Sequence, residues 1–279
     1  MRKLDRLVWA DGIAFNAYGL RIGIRVDKAW ALEPLMKALP FGATLAKRPY
    51  VDYLYSIIVA GGDGPHPRRF NLIYGDAFRI GKSERFDDIV EAMEQEISLF
   101  IGEMSKNRIF IHSGVVGWKG RAILLPGPTR SGKSTMVAAL VRAGARYYSD
   151  EFAVIDEKGR VHPFARPLAL RQEGDLRGQP VDITAFGGRE GRTPLQVGAI
   201  VFAPYAKGSA WKPEAISSGQ ALLGLLENTL SARSHPERAL DVLGTLTQAA
   251  ACFYSERGDA DPVAVRVLNL VESHATCID

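Results

Sequence analysis

The chain has 279 residues, which suits one large domain or two small ones and is ample for a buried core. Apolar residues make up 47% and charged residues 24%, values that argue against an intrinsically disordered chain, a collagen and a coiled coil. Lysine and arginine total 35 against 31 aspartate and glutamate residues, and this net charge of +4 gives no reason to propose a nucleic-acid partner.

The start of the chain lacks the uninterrupted apolar core of a signal peptide, because Asp5 and Asp11 break its apolar stretch. The longest apolar runs are well short of the roughly 18 residues that a membrane-spanning helix requires. Two cysteines, Cys252 and Cys277, are too few for a disulfide framework, and Cys252 is expected in the core. We therefore expect a cytoplasmic protein with no membrane segment.

The first part of the chain predicts an α+β region. Apolar residues alternate over 20–26 and predict a strand, whereas 32–39 predicts a short helix. Residues 51–59 and 70–75 are rich in Val, Ile, Tyr and Phe and predict two further strands. Ser83 is the expected N-cap of an amphipathic helix of about five turns, whose apolar residues recur every three or four positions.

The remainder of the chain alternates strands with helices, which predicts an α/β domain. The expected strands and helices, in chain order, are strands 108–116 and 121–125 around a turn at 117–120, a loop, a helix over 134–142, two short strands, strands near 161–170 and 198–203, and helices near 218–230, 236–250 and 260–273. We place a boundary near residue 106, between an N-terminal α+β region (1–105) and a nucleotide-binding domain (106–279).

Residues 127–134 match the phosphate-binding pattern G-x-x-x-x-G-K-[ST] in full, between a predicted strand and a predicted helix. From typical residue frequencies, a chance match occurs on the order of once in a hundred chains of this length. A second Gly-Lys-Ser, at 81–83, is a decoy, because Asp76 occupies its first-glycine position and would repel phosphate. The candidate nucleotide-binding residues are Gly127, Pro128, Thr129, Arg130, Ser131, Gly132, Lys133, Ser134 and Thr135.

The chemistry of a phosphate site requires these residue types at these positions. Gly127 and Gly132 allow the loop to turn its N–H groups toward phosphate oxygens, and the following helix adds partial positive charge. Lys133 is expected to reach the β- and γ-phosphates, and the Ser134 hydroxyl to bind Mg²⁺. Thr135 is a supporting residue of the same site.

Acidic partners of the loop could come from two places. The pair Asp150–Glu151 follows Lys133 by seventeen residues, and a strand leaving the loop helix could bring it back beside the phosphates. Asp156 ends the apolar run 152–155 and is the conventional Walker B candidate. Either carboxylate could lie near Mg²⁺ or face the attacking nucleophile, and the residues alone leave both possibilities open.

The stretch from His112 to about Arg171 resembles the bacterial HPr serine kinase/phosphorylase family. It is most similar to the HPr-kinase-related proteins found beside peptide-modification genes, including kinases that tailor lasso peptides. A histidine precedes the phosphate loop on the preceding strand, Gly144 follows the loop helix, and Asp150–Glu151 stands where the family has two aspartates.

The resemblance implies a P-loop kinase domain of the HPr kinase/PEP carboxykinase type. It implies that Asp150 is the general base for the substrate hydroxyl, in preference to Asp156, that Glu151 helps to hold Mg²⁺, and that His112 neighbours the transferred phosphoryl group. The chain departs from the family at Arg130, where the HPr kinase loop has glycine, and at Glu151, where it has aspartate. A clean copy of the later HPr kinase signature is absent, so a reverse phosphorylase activity and HPr as the substrate stay open.

Arginines after the acidic pair are candidates for stabilising charge on the γ-phosphoryl oxygens. Arg166 and Arg171 alternate with apolar residues as on a strand that faces the site, and Arg171 is the expected catalytic one. The basic, glycine-rich loop 186–193 is a candidate flexible cover for the substrate.

Taken together, the residues and the resemblance predict an ATP- and Mg²⁺-dependent kinase that phosphorylates a hydroxyl, the expected acceptor being a serine of a peptide or small protein. The alternative is a nucleotide-dependent switch or peptide-binding module with slow ATPase activity, and a small-molecule kinase is a third, weaker option. True HPr kinases assemble into rings, so a homo-oligomer is also open.

Overall fold

The structure is a computed structural model that describes residues 3–48, 50–62, 67–170 and 179–275. Arg171 and Cys277 therefore lie outside the described residues. The chain forms two compact units, Met1–Asn107 and Arg108–Asp279, and it is mixed α/β. Among the helices of the described ranges, none has both the length and the apolar character that a membrane crossing requires.

The first unit is built on a six-stranded sheet with two α-helices. These elements are β1 (Asp11–Ala17), β2 (Leu20–Val26), α1 (Leu32–Lys37), β3 (Thr44–Leu45), β4 (Tyr53–Ile58), β5 (Asn71–Gly75), β6 (Phe78–Ser83) and α2 (Phe86–Met104). The strand order is β3-β1-β2-β4-β5-β6, in which only the β2–β4 pair is parallel. Helix α2 packs against β5 and β6, where Ile89, Met93 and Ile97 are buried.

The strands and helices predicted for this unit are confirmed, but the predicted N-cap of α2 is wrong. Ser83 is the last residue of β6, and Arg85 occupies the N-cap position without a side-chain bond. The Ser83 hydroxyl instead accepts from the Arg85 N–H (3.1 Å) and donates to Asp88 Oδ2 (2.7 Å), so it secures the helix start from the preceding strand. The decoy sequence 81–83 lies within β6 and is extended, so it does not form a loop around an anion.

The second unit contains ten strands and four α-helices within the described ranges. These are β7 (Ile109–Trp118), β8 (Arg121–Pro126), α3 (Lys133–Arg142), β9 (Arg146–Ser149), β10 (Phe152–Ile155), β11 (Arg160–His162), β12 (Leu168–Leu170), β13 (Gln179–Val181), β14 (Leu195–Phe202), β15 (Glu214–Ala215), α4 (Ser218–Glu227), α5 (Pro236–Ala249), β16 (Ala251–Tyr254) and α6 (Ala260–Ala275).

Eight of these strands form one sheet in the order β11-β10-β7-β8-β14-β16-β15, with β9 also paired to β7. Strands β8, β14 and β16 are parallel, so their carboxyl ends meet at one edge of the sheet. Strands β9 and β10 run antiparallel to β7. The loop that follows β8 is therefore near the middle of the sheet, with the β14–β16 side on one flank and the β7–β10 side on the other.

Helices cover both faces of this sheet, and the alternation of side chains along each strand supplies the two cores. On one face, Ile123 of β8 belongs to a buried cluster with residues of α3 and α6. On the other face, Leu124 belongs to a buried cluster with residues of α4 and α5. Helix α3, which begins where the loop ends, is thus held by a continuous apolar core.

Most predicted elements of the second unit are confirmed, and the differences have local causes. Strand β7 runs through Trp118, because only Lys119 and Gly120 take the positive φ values (44° and 81°) of the hairpin turn. The single strand expected near 161–170 is two short strands, β11 and β12, in separate sheets. Strand β16 was not predicted, because its four residues lie between two stronger helical patterns. Cys252 of β16 is buried with a free thiol, as expected for a core residue.

Gly114 of β7 lies against α3, where a Cβ would come within 2.5 Å of Val137 Cγ2. We predict that Gly114→Ala lowers the free energy of unfolding by about 1–3 kcal/mol, because β7 and α3 must separate to admit the methyl group. The matched control is Gly244→Ala in α5, whose Cβ would meet no atom within 4 Å. The control should be stabilised by about 0.5–1 kcal/mol. Denaturant unfolding of both variants checks this prediction, and equal effects would contradict the packing described.

Candidate functional site

The predicted phosphate loop connects β8 to α3. Strand β8 ends at Pro126, and Gly132 precedes α3 with a φ of 84°, a left-handed value that suits glycine. The first N–H groups of a helix have no acceptor within the helix, so the start of α3 presents donors and partial positive charge at this point. Arg130 also has a positive φ (70°), which explains why a glycine would fit at its position. Its side chain is exposed.

Lys133 is the first residue of α3, and its ammonium folds back over the loop. The Nζ atom donates to the carbonyl oxygens of Gly127 and Pro128, each at 2.7 Å. The side chain is only 9% exposed, and burial lowers the pKa of Lys133 to about 8. The charges of Asp150 and Glu151 oppose this decrease, which indicates that both carboxylates lie near the ammonium.

His112 is beside the loop because of the register of β7. Its neighbour Ser113 pairs with Pro126, the last residue of β8. The imidazole Nδ1 lies 3.1 Å from the Gly127 carbonyl oxygen, so Nδ1 carries the proton in this contact, since a carbonyl can only accept. Burial and the charge of Lys133 lower the pKa of His112 to about 4. The ring is therefore neutral near pH 7.

The acidic pair Asp150–Glu151 joins β9 to β10. It lies near His112 and Ser113 of β7, which are also beside the phosphate loop. Ser149 pairs with Val115, and Phe152 pairs with His112. The backbone carbonyl of Glu151 also accepts from the Ser113 N–H at 3.1 Å. The two strands that flank the pair are thus registered on β7, and this register brings the pair to the phosphate loop.

Asp150 is buried and is oriented by a tyrosine of the preceding strand. The Tyr147 hydroxyl lies 2.9 Å from Asp150 Oδ1 and 2.8 Å from the Arg166 carbonyl oxygen. Burial, together with the charge of Asp150, raises the pKa of Tyr147, so the phenol stays protonated and can donate. The residues alone did not identify Tyr147, because its role depends on the turn that follows β9.

Glu151 is paired with Arg166, whose Nη1 lies 2.9 Å from Glu151 Oε2. Burial and the charge of Asp150 raise the pKa of Glu151 to about 7, while Lys133 opposes the increase. Arg166 was expected on a strand, but it lies in the irregular stretch between β11 and β12. It reaches the site through this ion pair, and Arg171 lies outside the described residues.

Asp156 is bound within its own hairpin, away from the loop. It follows β10 at the end opposite Phe152, which puts it about 10 Å or more along the strand from the level of His112. Its carboxylate accepts from the backbone N–H groups of Lys158 and Arg160 and contacts the side chains of Arg160 and His162. Burial acts to raise the pKa of Asp156, but these hydrogen bonds outweigh burial and lower the pKa to about 2.

Arg257 is a residue of this region that the sequence did not suggest. It follows β16 and is 1% exposed, and its Nη2 donates to the Gly132 carbonyl oxygen at 2.7 Å. Its Nη1 donates to the Gly258 carbonyl oxygen, and its Nε is buried without a hydrogen-bond partner. The only sequence signal is the short apolar run 251–254, which ends three residues before Arg257 and corresponds to β16.

The glycine-rich loop 186–193 was expected to be a flexible cover, but it is hydrogen-bonded to β9. The Tyr147 N–H donates to the Arg189 carbonyl oxygen (2.9 Å), and the Gly191 N–H donates to the Tyr147 carbonyl oxygen (2.7 Å). The Tyr148 hydroxyl donates to the Thr193 carbonyl oxygen (2.8 Å). These bonds explain why the segment lies alongside β9 and does not form a free flap.

The donor set for a magnesium ion consists of Ser134, in the first turn of α3, and the adjacent carboxylates. Within the described residues, no group of three or more His, Cys, Asp or Glu side chains could hold a metal. Magnesium is commonly bound by one or two carboxylates together with substrate phosphates, and needs no such group. The Ser134 hydroxyl and the Glu151 carboxylate offer oxygen donors, the type of ligand that magnesium prefers. The residues present therefore fit this ion.

A scan against protein-family models and a search of curated proteins give no match for this chain.

The raised pKa of Glu151 gives a prediction about stability and pH. Between its ordinary pKa of 4.5 and its folded value of about 7, the folded state binds more protons than the unfolded state, so Glu151 makes stability fall as pH rises. The side chain is 39% exposed, which reduces the effect to about 1 kcal/mol. We predict that Glu151→Gln removes this loss between pH 4.5 and 7. Unfolding free energies at both pH values check this, and an unchanged pH dependence would contradict the assignment.

Proposed function

We propose that the chain is an ATP- and Mg²⁺-dependent kinase of the HPr-kinase-like P-loop type, and that it transfers the γ-phosphoryl group to a hydroxyl, a serine of a peptide or small protein. The observation that carries this proposal is the strand register on β7, which brings the acidic pair Asp150–Glu151 to the end of the sheet where the loop of Lys133 begins. The resemblance of the stretch from His112 to Arg171 to the HPr kinase family supports the same assignment.

The phosphate groups would bind over residues 127–135. The N–H groups at the start of α3 would donate to phosphate oxygens, and Lys133 would exchange its bonds to the Gly127 and Pro128 carbonyls for the β- and γ-phosphates. A lysine held by two neutral carbonyls loses little in this exchange, because the phosphates offer charged acceptors.

Magnesium would be held by Ser134 and Glu151 together with phosphate oxygens, and it would neutralise charge that develops during the transfer. Arg166 would keep the Glu151 carboxylate in place through the ion pair between them. In this proposal Arg166 positions Glu151, and Arg171, outside the described residues, stays the candidate for stabilising charge on the γ-phosphoryl oxygens.

Asp150 would accept the proton of the acceptor hydroxyl. As the hydroxyl oxygen attacks the γ-phosphorus, its proton passes to Asp150, the bond to the bridging oxygen breaks, and ADP leaves. The Tyr147 hydroxyl supports this role because it orients the carboxylate from one side. His112, with a pKa of about 4, would be a neutral neighbour that holds the Gly127 carbonyl.

The test is phosphoryl transfer from γ-labelled ATP to serine-containing peptides in the presence of Mg²⁺. We predict that Asp150→Asn lowers the rate constant of transfer by about 10²–10⁴, because the proton has no acceptor in line with the attack. Asp156→Asn is the matched control, since Asp156 is bound within its hairpin. It should lower stability but keep transfer within about a factor of three at temperatures where it is folded.

Full transfer by Asp150→Asn would contradict the assignment of the base, and loss of transfer only in Asp156→Asn would favour the other carboxylate. Release of ADP and free phosphate without a labelled peptide would favour the nucleotide-dependent switch or binding module. Labelling of a small hydroxyl compound in place of a peptide would indicate a small-molecule kinase.

A further inference from the structure

Two loops on the β14–β16 side of the sheet are tied to the phosphate loop. Because β14 and β16 are parallel to β8, the chain leaves all three strands at the same edge. The Tyr205 N–H, after β14, donates to the Ser131 carbonyl oxygen at 3.2 Å. Arg257, after β16, donates to the Gly132 carbonyl oxygen. The two loops also pair with each other at Tyr205 and Arg257.

A cavity of about 550 Å³ opens between these loops and the start of α6. This volume lies in the range of small-molecule sites. Its lining comes from three segments, and the residues are Tyr205, Lys207, Gly208, Ser209, Ala210, Trp211, Gly258, Asp259, Pro262, Val263 and Arg266. Tyr205 thus belongs both to this wall and to the edge of the phosphate loop.

The lining combines flat apolar surface with a few polar groups. Trp211 is buried in the wall, and its carbonyl oxygen accepts from Arg266 Nη2 at 2.9 Å, which fixes that side of the cavity. Tyr205 is 49% exposed, so its ring offers an accessible aromatic face. Asp259 directly precedes α6 and is exposed, so its carboxylate is accessible to a hydroxyl-bearing ligand.

The strand order gives the site a direction. The acidic pair lies on the β7 side of the loop, and the cavity lies on the β14–β16 side. A nucleoside triphosphate bound across the loop with its γ-phosphate toward Asp150 would therefore extend its sugar and base toward the cavity.

We propose that this cavity binds the nucleoside part of the nucleotide, with the base on the Tyr205 ring and the ribose hydroxyls at the Asp259 carboxylate. The inference rests on the proposed function, since it extends the same nucleotide beyond its phosphates. An aromatic face stacks on any base, and a carboxylate is a strong acceptor for ribose hydroxyls. The phosphate loop would then bind the phosphates of any polyphosphate. The cavity would add affinity for the nucleoside and so favour a nucleotide over other polyphosphates.

The first experiment compares ATP with inorganic tripolyphosphate, which has phosphates but no nucleoside. Calorimetry with the full chain and Mg²⁺ measures the dissociation constants for wild type, Tyr205→Ala and the control Tyr254→Ala. Tyr254 is of similar exposure (46%) and does not line the cavity. Tyr205→Ala should raise the dissociation constant for ATP about tenfold or more and change the dissociation constant for tripolyphosphate by less than twofold. Tyr254→Ala should change neither.

The second experiment tests the ribose contact with Asp259→Asn. Asparagine keeps the size of the side chain and removes its charge, and it is as suitable before a helix as aspartate is. The variant should bind ATP about five- to tenfold more weakly than wild type and bind 2′,3′-dideoxy-ATP with unchanged affinity.

The outcomes separate the inference from the proposed function. If wild type binds ATP but Tyr205→Ala weakens ATP and tripolyphosphate equally, Tyr205 acts through the phosphate loop and the cavity assignment is overturned. ATP binding that is unchanged in both variants also overturns it. If wild type binds neither ATP nor tripolyphosphate, the proposed function itself fails, and the inference fails with it.

Discussion

The buried ammonium of Lys133 is the interaction on which the candidate site depends. A charged group this far from water needs hydrogen-bond partners, and here the two loop carbonyls accept from the ammonium. The charges of Asp150 and Glu151 also favour its protonated form. The hydrogen bonds from Lys133 to the Gly127 and Pro128 carbonyls connect the two ends of the loop. Because Lys133 is also the first residue of α3, the same bonds connect the loop to a helix held in the core.

The sheet places chemically different groups on opposite sides of this lysine. On the β7 side, the register of β9 and β10 brings Asp150 and Glu151 to the loop, and Tyr147 and Arg166 orient their carboxylates. On the β14–β16 side, parallel strands deliver the loops that form the cavity. In the proposed function, the proton acceptor and the nucleoside site would lie on opposite flanks of the loop, an arrangement that suits an in-line transfer.

Local sequence patterns predicted the strand, loop and helix that contain the candidate phosphate loop, whereas long-range packing determines which other residues contact this loop. The octet at 127–134 is recognisable because its glycines, lysine and serine are each required within one short turn. Arg257 could not be found in this way, since its bond to Gly132 joins residues that are 125 positions apart. Asp156 and Arg166 show the same limit, because the sequence contains the charged residue but not the hydrogen-bonded partners that determine where it points. The predicted N-cap of α2, Ser83, lies two residues before the observed one, because a serine in the preceding strand can also hydrogen-bond to the start of a helix.

If Lys133 binds the phosphates of a nucleotide, removing its charge must weaken ATP binding, and the equilibrium affinities of wild type and Lys133→Met for ATP measure this effect. Methionine preserves much of the buried stem and removes the charge. A Lys212→Met variant is the control, because Lys212 is neither in the loop nor in the lining of the cavity. We predict that wild type and the control bind ATP alike and that Lys133→Met binds at least about a hundredfold more weakly, a loss of about 3 kcal/mol. Equal affinity of Lys133→Met and wild type, with both folded, would contradict it.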